Sequence, residues 1–85
     1  MEIWKYKLAI ADRQLVQMPV DSEILSVGNQ QGAVCLWAKG DPTAVTRNRV
    51  IEMIGTGHPI SPARRTFLGT VLDDPFVWHV FERHQ

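Results

Sequence analysis

The sequence predicts an all-β protein, a small antiparallel sandwich or barrel of six to seven strands with residues 1–85 forming one domain. Three observations carry this. Apolar and polar residues alternate with a period of two, most clearly where Trp4, Tyr6, Leu8 and Ile10 fall opposite Lys5 and Lys7, which is the pattern of a strand with one buried face. Turn-forming Gly, Pro, Asn and Asp recur roughly every 8–12 residues, the strand spacing of sandwiches and barrels. No segment makes a good helix: the best candidate, Thr43 to Ile54, carries β-branched residues and Asn48 through its middle, which helical geometry disfavours.

The elements follow in order. The first strand runs through "IWKYKLAI" with its even-numbered residues facing the core, and Asp12-Arg13 turns it into a hairpin with "RQLVQM", which Pro19 ends. "EILSVGNQ" is the third strand, and the turn at Gln30 to Gly32 returns the chain as "AVCLWAK". Gly40-Asp41-Pro42 breaks the pattern before a fifth strand from Thr46 to Ile54. Thr66 to Leu72 is the sixth, Asp73-Asp74-Pro75 a turn, and "FVWHVFE" the seventh, leaving Arg83-His84-Gln85 to fray.

Composition limits the function classes. A chain of 85 residues buries a modest share of its surface and builds one core. Nine basic residues balance nine acidic ones, so the broad electropositive surface of a non-specific nucleic-acid binder is not expected and any anion site must be local. One cysteine, Cys35, allows no internal disulfide and points to a reducing compartment. Charges at Glu2, Lys5 and Lys7 interrupt any leader-like apolar stretch, and no run is long enough to span a membrane. A cytoplasmic protein is expected.

Signals for catalysis are poor. Asp73 and Asp74 are adjacent and point apart if extended, unlike a paired-carboxylate site. Cys35 is expected mid-strand, where a thiol is an inert small hydrophobe. His58, His79 and His84 lack the spacing of a metal pair. No enzyme activity, metal or cofactor is expected.

The order and spacing of "IWKY", "QMP" leading into "ILSV", "CLWA", an Arg-bearing strand running into "GTGHPI", then "FLGT" and a terminal "WHVFE" resemble a family of short uncharacterised proteins of phages, prophages and bacteria. The resemblance implies a phage setting and carries over no catalytic residue. In that family pattern an apolar strand residue is usual where this chain has Gly40, which predicts a shortened fourth strand.

Candidate binding residues cluster around "GTGHP". Gly55, Thr56, Gly57 and His58 could turn backbone N–H groups, a hydroxyl and an imidazole toward one anion. The same residues also suit a sharp corner with glycine at positive φ. Arg47 and Arg49, two apart on a strand, leave from one face upstream of the loop, and Arg64 and Arg65 lie just downstream. Such guanidiniums suit phosphate, or equally ion pairs with Glu52, Asp41 or Asp73. Trp78 is expected in the core. Trp37 lies outside it if Val34, Leu36 and Ala38 face inward, leaving an indole to stack on a base.

These residues predict a non-enzymatic binder of a phosphorylated small ligand such as a cyclic nucleotide, acting in a phage as a sponge for a nucleotide immune signal. Arg49 is expected to serve the ligand and to be dispensable for stability. The alternative is an interaction module that inhibits a host or defence protein, or a minor structural piece of a phage particle. Apolar residues on both faces of "FVWHVFE" predict a homodimer or higher oligomer.

Overall fold

The computed structural model describes residues 1–85, and strands form where alternation and turn residues place them: β1 (Glu2–Lys7), β2 (Arg13–Pro19), β3 (Glu23–Gln30), β4 (Ala33–Gly40), β5 (Thr46–Gly55), β6 (Arg65–Asp73) and β7 (Phe76–Arg83). They make two antiparallel sheets, one ordered β1-β4-β3 and the other β2-β5-β7-β6. The turn between β3 and β4 follows local chemistry. Gln31 and Gly32 both have positive φ between the paired Gln30 and Ala33, a type I′ hairpin, and the Asn29 side chain accepts the Gly32 N–H.

The expected β1–β2 hairpin does not form. β1 pairs with β4 and β2 with β5, in different sheets. Leu8 explains the crossing, because it is buried in the core and its N–H donates to Val34 O, drawing the chain between the layers before it can fold back on itself. Strand β1 ends at Lys7, so Ile10, expected on its inner face, is 56% exposed. Trp4 points to the core side but sits on an edge strand and is 39% exposed.

Gly40 does not shorten β4. It pairs with Glu2, and a Cβ there would strike the Ser22 hydroxyl, which is buried and donates to Pro19 O. Glycine is required for that close approach, not for a break.

Apolar residues from both layers meet in one core: Leu8, Val16, Met18, Val34, Leu36, Ala38, Ile51, Met53, Val71 and Val80. The molecule measures 40 × 32 × 16 Å, the thickness of two packed sheets. Along one side the sheets nearly touch at β3 and β6, where Gly69 has φ 150° and a Cβ would come within 2.7 Å of Val27. The Asn29 side chain donates there to Leu72 O. Within the four-stranded sheet β5 and β6 flank β7 and run parallel, so residues 56–64 must cross from one side of β7 to the other. That crossover begins at "GTGHP". No helix is long and apolar enough to cross a membrane.

Candidate functional site

The glycine loop is a corner. His58 N–H donates to Gly55 O, and Gly57 between them has φ 87°, as a type II turn demands. Thr56 N–H donates to Val77 O, so two of the amides expected to converge on an anion already have backbone partners. The Thr56 hydroxyl pairs with His79 Nε2 at 2.8 Å, and Thr70 Oγ1 meets His79 Nδ1 at 3.1 Å. His79 is thus a satisfied imidazole between two threonines. Gly55 has a packing role: a Cβ would lie 3.3 Å from the Trp78 ring and 3.4 Å from that of His58.

Arg49 is likewise not a free ligand group. With Arg47 it faces the core side, opposite Val16 and Met18 of β2, as their spacing implies. There its guanidinium grips Glu82 through Nε and through Nη2 at 2.9 Å, while Nη1 donates to Ser22 O at 2.9 Å. The Arg49 side chain is 19% exposed and that of Glu82 10%. The hydrogen bond from Arg49 holds the Glu82 carboxyl below its ordinary range against the opposing effect of burial, and the Arg49 pKa is raised in turn. Arg49 is therefore engaged by protein acceptors at Glu82 and Ser22, an arrangement that argues against the expected dispensability.

The remaining arginines assemble around a different carboxylate. Glu52, buried, accepts from Arg65 Nε at 2.6 Å, from Arg83 Nη1 at 3.2 Å and from Arg13 Nη2 at 3.5 Å. Register explains the convergence: Arg13 lies opposite Glu52 on β2, Arg83 opposite Val50 on β5, and Arg65 opposite Arg83 on β6. All lie on the sheet face turned away from the core. Burial pushes the Glu52 carboxyl up, but the hydrogen bonds from Arg65 and Arg83 outweigh it and hold the group below its ordinary value. Arg65 also donates to Ser61 O and meets Ser61 Oγ, which ties the crossover to the cluster.

A groove of about 400 Å³ opens there, lined by Arg13, Glu52, Arg65, Arg83, His58 and Trp78 among others. Asp12 also lines it, so three guanidiniums face two carboxylates and one positive charge is in excess. Arg13 is 57% exposed and Arg65 9%, which makes Arg13 the accessible donor and Arg65 the anchor.

Of the residues expected at the site, His58 and Arg65 line this groove. Arg47 and Arg49 line a separate cavity of about 450 Å³ with Asp21 and Glu82. Arg64 donates to Gln85 O and lines neither. Trp37 does lie outside the core, since Val34, Leu36 and Ala38 face inward, but it stands on the three-stranded sheet, away from every arginine named. Trp78, expected to be buried, is half-buried, donates to Asp73 Oδ2 and walls the groove. Arg13, Arg83 and Glu82 are distant in sequence from the glycines, so nearness to that loop does not point to them. A usable signal was there: Glu52 alternates in phase with Val50 and Ile54, and Glu82 with Trp78 and Val80, and a carboxylate in phase with apolar residues calls for a buried cation.

The whole chain, residues 1–85, matches a family described as a domain of unknown function (DUF7352), and the chain belongs to it. No curated protein and no solved structure matches the chain.

Proposed function

We propose that this protein is a non-enzymatic binder of a phosphorylated small ligand, held in the groove at Glu52. In the phage setting suggested by its resemblance, it acts as a sponge for a nucleotide immune signal of the host. One observation carries the reading: three guanidiniums converge on one buried carboxylate at the wall of a groove, leaving positive charge in excess. A phosphate approaching Arg13 and Arg83 gains charge-assisted hydrogen bonds without breaking the Arg65–Glu52 anchor. Trp78 and His58 offer ring surface beside it. Trp37, too distant, has no part in this site.

Thermal-shift measurements against cyclic dinucleotides, cyclic ADP-ribose isomers, simple nucleotides and inorganic phosphate test the proposal. A ligand at 100-fold over its Kd adds about 2.7 kcal/mol of stability, and Arg13→Ala should remove the shift. No stabilisation by any of these compounds would reject it.

A second reading, an interaction module, is favoured by the outer face of the four-stranded sheet. Leu15, Phe67 and Leu72 are exposed there, and Phe67 packs on Phe81 at 5.3 Å between ring centroids. β7 is apolar on both faces, and only one meets the core. Self-association through this face is the form we favour, as a homodimer or higher oligomer. A monomer in sedimentation at tens of micromolar would count against it.

A further inference from the structure

The three-stranded sheet presents an outer face that the groove reading leaves unused. On it Trp37 lies directly opposite Lys5 of β1, with Lys39 opposite Ile3 and Lys7 opposite Cys35. On the β3 side the same face carries Ser26, Gly28 and Gln30. Gly28 pairs with Cys35, and a Cβ at Gly28 would stand 3.6 Å from the far edge of the Trp37 ring. The indole therefore reaches along the sheet toward the Cys35–Gly28 pair. Cys35 is correspondingly buried although it points away from the core. A side chain larger than alanine at position 28 would lift the ring.

The charges lie around this ring. Lys5, Lys7 and Lys39 arise from β1 and β4, and only Lys39 has a carboxylate within ion-pair distance, the exposed Glu23 at 3.4 Å. Lys5 reaches across β4 to a neutral partner on β3, Gln30 Oε1, at 2.8 Å. Successive outward residues along a strand stand about 7 Å apart, comparable with the step between phosphates of an extended single strand. A neutral protein can thus hold a local cationic track even though its overall charge argues against a broad one.

We infer that this face binds single-stranded nucleic acid, one base stacking on Trp37 while Lys5, Lys7 and Lys39 contact successive phosphates. Stacking on an aromatic beside a basic track is how sequence-tolerant single-strand sites work. Three phosphate contacts give a salt dependence, as log K against log salt, of about −2. The inference is independent of the groove and stands if the groove reading fails.

The test is fluorescence anisotropy of a dye-labelled short oligothymidylate at low and rising salt. The expected result is saturable binding with that slope, weakened roughly tenfold or more by Trp37→Ala, with a shallower slope for Lys5→Gln combined with Lys7→Gln. Those lysines are exposed, so the double variant keeps the test valid should Trp37→Ala fold poorly. Arg13→Ala, in the groove, should leave oligonucleotide binding unchanged. Absence of binding at the lowest salt, or an unchanged slope in the lysine variant, would overturn the inference. Loss of binding in Arg13→Ala would overturn it too, because the oligonucleotide would then be occupying the groove.

Discussion

Two buried glutamates on one sheet have been given opposite surroundings. Glu82, on the core side, takes one bidentate guanidinium from Arg49, and its cavity is lined by Arg47, Arg49 and Arg83 together with Asp21 and Glu82. Glu52, on the other side, takes three guanidiniums, one of them largely exposed. A closed pair has its donors directed at protein acceptors and offers little to a ligand. An over-compensated carboxylate fixes several cations in place and leaves part of their charge facing solvent. The difference teaches that an arginine's neighbours in space, more than its nearness to a glycine loop, decide whether it can recognise an anion.

The comparison can be broken most forcefully at Arg49. Arg49→Ala strands a buried carboxylate, and losing one partner of a buried pair costs about 3–5 kcal/mol. For a domain of this size the melting temperature should then fall by more than about 10 °C. Replacing both partners, Arg49→Met with Glu82→Leu, should restore most of the loss, because no buried charge is left alone. An Arg49→Ala protein that melts like the parent would show the pair to be inert.

Arg65→Ala should have a smaller effect, about 2 kcal/mol, since Arg83 and Arg13 remain to compensate Glu52 while the crossover loses its tie at Ser61. Chemical denaturation of the two single variants side by side checks the ranking. If Arg65→Ala is the more damaging, the sharing of Glu52 among three cations has no compensating value.

Acid sharpens the comparison further. Both carboxyls have native pKa values beneath the ordinary 4.5, so the native state stays deprotonated at pH values where the unfolded chain takes up protons. Stability from this source is complete above the ordinary glutamate range and is lost as pH falls through the native values. Melting temperature should therefore drop on acidification below about pH 4.5, and Glu82→Gln should flatten that dependence.

The smallest change in stability belongs to Arg13→Ala. An exposed partner at 3.5 Å contributes about 0–1 kcal/mol, so the melting temperature should barely move while phosphate-ligand binding is lost. That separation of stability from binding is the reverse of what Arg49→Ala should show.

Much of the fold was legible because period-two alternation and turn chemistry are local. The type I′ turn at Gln31-Gly32 and the outward placement of Trp37 follow from residues within a few positions of each other. The missing β1–β2 hairpin was not legible, since a turn residue says where a chain reverses and not which strand it then pairs with. Leu8, buried at the crossing, resolved that by packing.

The amino-acid sequence by itself determined the strands and their inward faces, fixed by backbone preferences and by which side of each strand is apolar, and left Gly55 to His58 open between a corner and an anion cradle. Tertiary structure alone decided the site. Arg13, Glu52, Arg65 and Arg83 lie on four different strand positions across a sheet ordered β2-β5-β7-β6, and they meet only because strand register aligns them beneath the crossover. Electrostatic recognition depends on distances of a few ångströms in space, and sequence separation carries no measure of those.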